Sequence, residues 1–225
     1  MTISRRLKDR LWRHHLPIGL GTLGAGYILY ITQPSADVIM RLSFASAWPA
    51  LALLTGTLVI GPLRVLRGRP RLLSQDLRRD WGIWAGMAGV FHVAIGQCVH
   101  LRGRPWLYYV YEKTNPHVVP LRHDIFGLSN FTGLFAALIL VTLLATSNDA
   151  MLHRLGNPGW KTLQRWNYVC FALAGLHTFG YLLGIEAFKA GSIAFTGLCV
   201  AMAGTLQVMG WRRRAAAPEQ ARPNA

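Results

Sequence analysis

A chain of 225 residues with 52% apolar and only 15% charged residues belongs with membrane proteins rather than with soluble domains of that length. Its 24 Lys and Arg against 9 Asp and Glu leave a net charge of +15. The basic residues fall between apolar runs instead of along one polar face, which points to lipid head groups and away from a nucleic-acid partner. Cys98, Cys170 and Cys199 lie within apolar runs and form no CxxC pair, so they read as buried core thiols and indicate neither a disulfide scaffold nor a zinc site.

Residues 1–15 are a basic N-terminal segment, read as cytoplasmic, and the apolar run from Leu16 to about Thr32 is a first helix, too long for the apolar core of a signal peptide. The GxGxxG match at Gly19, Gly21 and Gly24 follows no strand, so it reads as small residues that admit a neighbouring helix rather than as a dinucleotide fingerprint. A second span runs from about Phe44 to Pro62. The connection after it carries Arg64, Arg67, Arg69, Arg71, Arg78 and Arg79, the mark of a cytoplasmic loop in contact with membrane lipid.

The third span, Trp81 to about Leu101, contains His92. The segment from Arg102 to His123 is broken by Pro105, Pro116 and Pro120, and its Trp106, Tyr108, Tyr109 and Tyr111 fit an interfacial belt. Arg102, Arg104, Lys113 and Arg122 among these aromatics also suit the docking of a periplasmic redox partner. The fourth span covers about Ile125 to Thr146 and is followed by a loop rich in Asn, Gly and Pro. The fifth, from Trp160 to Gly184, contains His177. The sixth covers about Ile193 to Trp211, and residues 212–225 form a tail with too little apolar content to order itself.

Each run approaches the ~20 residues needed to cross ~30 Å of hydrocarbon. Eighteen of the 24 basic residues fall on the side of the two termini, so the expected fold is an all-α membrane protein, a bundle of six transmembrane helices over 16–211 with both termini cytoplasmic. A bacterial inner membrane is the expected location.

An ionisable side chain at bilayer depth is costly and marks a functional position by default. His92 and His177 each follow an arginine-led, apolar run of similar length, which puts both at similar depth. Neighbours on their helix faces include Ala88, Gly89 and Gly96 for His92, and Ala174 and Gly180 for His177; such small residues suit a flat macrocycle between helices and also serve plain helix packing. Each histidine alone reads as a ligand or as hydrogen-bonded packing; the pair fits the two axial positions of a haem iron. Zinc would need three or four ligands. Two axial imidazoles leave no open position for oxygen, which favours electron transfer.

The stretches Leu51–Arg64, Leu77–His92, Thr132–Ser147 and Trp160–His177 resemble successive signatures of the ferric reductase-like transmembrane domain family, a resemblance covering roughly Leu51 to Gly184. Nearest in size within it are the haem-binding membrane subunits of periplasmic methionine sulfoxide reductase systems. The resemblance implies b-type haem on His92 and His177. Gln164 stands where the family commonly has histidine, 13 residues before His177, or roughly 20 Å along a helix, so one haem is expected. His100, His117 and His123 lie toward the outer face and are candidates to assist a second site.

The chain then reads as the electron-transfer subunit of an oxidoreductase system. Nothing after Arg214 resembles a flavin and nicotinamide domain, so a quinol or a separate flavoprotein is the expected donor, with a quinone or FMN on the donor side. The alternative is a haem-free polytopic protein, a transporter or assembly factor, that retains the same bundle.

Overall fold

The computed structural model describes residues 5–67, 75–101, 103–113, 119–185 and 189–216. In chain order its helices are α1 Arg5–Arg10, a π-helical turn Leu11–His15, α2 Leu16–Thr32, α3 Val38–Arg67, α4 Gln75–Gly96, a 3-10 turn Pro105–Tyr108, α5 Ile125–Ala145, α6 Asp149–Gln164, α7 Trp166–Gly184 and α8 Ala190–Ala215. The described residues contain no strand, only a single bridge between Val110 and Leu121. Arg69, Arg71, Arg102, His117 and the residues after Ala216 lie outside the described residues.

Helices α3, α5 and α8 are long and apolar enough to cross a membrane. Helix α2 is a turn shorter, with 17 residues; α4 opens on Asp76, Arg78, Arg79 and Asp80; α7 carries Asn167 and His177 within 19 residues. The apolar window of α3 is 56% buried, against 22% in α5 and α8, which makes α3 the central element. Its Leu51, Leu54 and Leu58 pack with Ala85 of α4, Ala136 of α5, Phe171 of α7 and Ala203 of α8. Large apolar side chains such as Leu20, Leu138, Leu176 and Leu198 face outward, as expected of a surface solvated by lipid.

Proline did not end α3. The sequence places its stop at Pro62, yet the helix continues to Arg67 with Pro49 and Pro62 inside it. Pro62 has no N–H to give the carbonyl of Leu58, and the Gln207 side chain of α8 supplies the missing donor at 2.7 Å. The connection expected between the fourth and fifth spans is also helical. Asn148 caps α6 by accepting from the Met151 amide at 2.8 Å, and the break is confined to Gly156, whose φ of 65° lies in the region glycine tolerates. Arg212–Arg214 likewise belong to α8 and not to a loose tail.

Arg78 and Arg79 do structural work beyond topology. Arg78 Nε donates to the carbonyl of Thr57 at 3.1 Å, and Arg79 Nε to that of Ser147 at 3.0 Å, tying the start of α4 to α3 and to the α5–α6 junction. At the same end Asp80, fully buried, accepts from Arg10 and lies 2.7 Å from His14 Nδ1 and 3.2 Å from His15 Nε2.

The opposite end is closed by the outer loop. Tyr108 is 1% exposed rather than interfacial; its hydroxyl donates to the carbonyl of Gly96 at 3.1 Å and accepts from the His100 amide, satisfying the end of α4. Trp106 is exposed. Arg104 pairs with Glu112, and Arg122 with Asp124. Cys98 is exposed just past α4, which corrects the expectation of three buried thiols; Cys170 and Cys199 are buried.

Asp124 caps α5 by accepting from the Gly127 amide at 2.8 Å. The Arg122 guanidinium holds its carboxyl below the usual carboxylate range. A depressed carboxyl stabilises above its ordinary titration and loses that contribution as pH falls through the folded value, here below about pH 4. Asp124→Ala is expected to cost about 1 kcal/mol, read as a lower thermal midpoint in detergent at neutral pH.

Candidate functional site

His92 is delivered by the α3–α4 packing and His177 by the α5–α7 packing. Helices α3 and α4 approach closely because Gly56 leaves room for the Trp81 ring, which would lie 2.3 Å from a Cβ there. That approach sets the α3 backbone beside His92, whose Nδ1 lies 3.1 Å from the carbonyl of Ser43 and 3.4 Å from Ser46 Oγ. On the other side Gly180 of α7 rests on Ser129 of α5, whose Oγ would be 2.0 Å from an added Cβ. The same contact brings the carbonyl of Ser129 to 2.8 Å from His177 Nδ1.

A carbonyl only accepts, so both Nδ1 atoms carry the proton in these bonds. Each Nε2 is left with its lone pair, the form in which imidazole binds metal, and an outer hydrogen bond of this kind fixes the ring orientation. The two ring centres are 6.4 Å apart with planes inclined at 73°. Two imidazoles on opposite sides of one metal ion, each with a metal–nitrogen distance of about 2 Å, hold their centres about 6 Å apart. The spacing of the two ring centres is close to that value. Among the described residues no group of three or more His, Cys, Asp or Glu is placed to hold a metal ion.

Of the two uses expected of the small residues beside the histidines, Gly89 and Gly180 serve helix packing. Gly89 receives Leu140 of α5, and Gly180 receives Ser129; both make helix packing close. Gly133 is the neighbour that makes room for the His177 ring, since a Cβ there would lie 2.6 Å from His177 Nδ1. In α2 only Gly19 of the three motif glycines meets a neighbour, the Trp84 ring at 2.6 Å, whereas Gly21 and Gly24 are open.

Tyr181 packs 5.0 Å from His177, donates to Asn130 Oδ1 at 3.0 Å, and stacks on His100. His100 thus belongs to an aromatic cluster above the pair, while His123 lies against Tyr111. Gln164 ends α6, and its buried Nε2 has no hydrogen-bond partner. The carbonyls of Ser43 and Ser129 had no signal in the sequence, because every residue carries one.

No family model matches the chain. It is similar to curated proteins named protein-methionine-sulfoxide reductase heme-binding subunit MsrQ. The Bordetella pertussis protein is 30% identical over 184 residues, 81% of each chain. The Ralstonia nicotianae protein is 34% identical over 144 residues, 64% of this chain and 59% of the relative. The Klebsiella pneumoniae protein is 26% identical over 169 residues, 75% of this chain and 76% of the relative.

Proposed function

The chain belongs to the MsrQ family of protein-methionine-sulfoxide reductase haem-binding subunits, and on that premise we propose that it binds one haem b between His92 and His177 and carries electrons toward a periplasmic acceptor. The observation that carries the reading is the imidazole pair at 6.4 Å, each ring turned by a backbone carbonyl so that Nε2 is free. When bound, haem supplies a reversible one-electron couple. His92 and His177 would hold the iron of that group, the carbonyls of Ser43 and Ser129 would keep the two rings in the ligating tautomer, and the surrounding apolar helices would exclude water.

In this reading α2, α3, α4, α5, α7 and α8 are six spans of a multi-pass protein of the bacterial inner membrane. The basic ends of α3 and α8, with Arg67 and Arg212–Arg214, support a cytoplasmic side for both termini. The donor is a quinol or a separate flavoprotein, and the acceptor is the rest of the reductase system.

The purified protein is expected to show a low-spin b-type absorbance spectrum with haem and protein in equal amounts; a colourless, folded protein would sink the reading and leave the haem-free bundle. Gly133→Ala is expected to lower haem content several-fold by displacing the His177 ring, measured as pyridine haemochrome per protein. Full haem content in that variant would show that the ring has room to move.

A further inference from the structure

At the end of the bundle where α3 and α8 turn basic, a pocket of about 90 Å³ lies between α3, α4, α7 and α8, with Gly61, Arg78, Tyr168, Gln207 and Arg214 in its wall. That wall holds two guanidinium groups and no acid. Beside it α8 presses on α3, where a Cβ on Gly210 would lie 3.1 Å from Pro62 Cβ. Trp166 and Tyr168 at the start of α7 and Trp211 near the end of α8 are all exposed at this level, and such aromatics mark the depth of lipid headgroups.

Both arginines are held in the same way. Arg78 Nε donates to the carbonyl of Thr57 at 3.1 Å and Arg214 Nε to that of Gly210 at 3.3 Å, which leaves the terminal nitrogens of each guanidinium for a further acceptor. Arg78 Nη1 lies 3.9 Å from the place of a Cβ on Gly61, a residue of the pocket wall. Among the described residues neither arginine has a carboxylate partner. The neighbouring amide is already engaged, since Gln207 Nε2 donates to the carbonyl of Leu58 at 2.7 Å and its Oε1 accepts from the Tyr168 hydroxyl at 3.3 Å. Two cations lining one small pocket repel each other until an anion lies between them.

We propose that this pocket holds the phosphate of an anionic phospholipid headgroup, clamped between Arg78 and Arg214. A guanidinium presents paired N–H groups in a fork that matches two phosphate oxygens. The volume is well below the ~300–1,000 Å³ of sites that enclose a whole small molecule, so a phosphate fits while the rest of the ligand stays outside, among the lipids. A zwitterionic headgroup would bring an ammonium group as well, and the wall offers it no carboxylate. Basic pockets between helix ends are where anionic lipid heads settle on the cytoplasmic side. The proposed topology puts this site in the inner leaflet, while binding itself requires no haem.

The test is lipid binding to the detergent-purified full chain by native mass spectrometry, comparing dioleoyl-phosphatidylglycerol with dioleoyl-phosphatidylcholine, which carries the same tails. One phosphatidylglycerol is expected to bind about tenfold more tightly than phosphatidylcholine. Arg214→Gln and Arg78→Gln should each weaken it about tenfold, on the scale of one lost charge-assisted hydrogen bond. Arg213→Gln removes an equal charge at the same end, but Arg213 donates to the carbonyl of Leu66 outside the pocket, so this variant should keep the parental affinity. Excess inorganic phosphate should not displace the lipid. Equal affinity for the two lipids, an equal loss in Arg213→Gln, parental affinity in Arg214→Gln, or displacement by inorganic phosphate would overturn the assignment, the last by showing a site for the free ion. Arg78 also holds the backbone of α3, so Arg214→Gln decides the question if Arg78→Gln does not fold. The His92→Ala chain is expected to bind phosphatidylglycerol undiminished, which separates a failure of the haem reading from a failure of this site.

Discussion

His92→Ala and His177→Ala are each expected to abolish the low-spin haem spectrum, with haem content falling more than about tenfold, while His153→Ala leaves it unchanged. The ring centres lie 6.4 Å apart, and on the proposed reading losing either would remove a bond to the iron and open a hole where the ring packed. Outer hydrogen bonds to metal ligands alone commonly change affinity 10–100-fold, so deleting a ligand should exceed that range. His153 lies on the exposed side of α6 and touches neither ring. A parental spectrum in either buried variant would remove that histidine from the site. Glutamine at the same positions keeps more of the volume and should fail as fully, because its amide is a poor iron ligand; retention by His→Gln would mean that shape, not ligation, holds the group.

What the sequence made legible was periodic and local. Five of the six apolar runs each fall mainly on one helix, while the fifth, Trp160–Gly184, is divided at Arg165 between α6 and α7, and an ionisable residue inside an apolar run singles out His92 and His177 without any knowledge of their partners. What it concealed depended on a second segment. Pro62 reads as a stop until Gln207, on another helix, supplies the donor that proline lacks. Gly89 and Gly180 read equally as space beside a ligand or as helix packing until Leu140 and Ser129 are seen to occupy it. Tyr108 reads as an interfacial aromatic until its hydroxyl is found closing the end of α4. The run from Asn148 to Gly159 reads as a loop because Gly and Pro are frequent there, yet a single left-handed glycine accommodates the break within helix. The basic N-terminus reads as a topology signal, and the residue that gives Arg10, His14 and His15 a further role, Asp80, is 65 to 70 positions away.

Asp80→Ala is expected to destabilise the bundle by about 3–5 kcal/mol, the range for breaking a buried ion pair by removing one partner. Asp80 has no exposed surface and the Arg10 side chain is only 12% exposed, so little solvent screens the charge left behind. The variant leaves the Arg10 guanidinium beside His14 and His15 with the shared carboxylate gone, and α1 and the π-helical turn lose their polar attachment to α4. Arg10→Ala should cost a similar amount for the opposite reason, since the carboxylate then has only the two imidazoles. The double variant Arg10→Ala with Asp80→Ala should be more stable than the sum of the single effects, because no uncompensated charge remains. Thermal denaturation in detergent across the four proteins measures the coupling. Additive single effects would mean that Asp80 is neutralised by the histidines alone and that Arg10 contributes only packing.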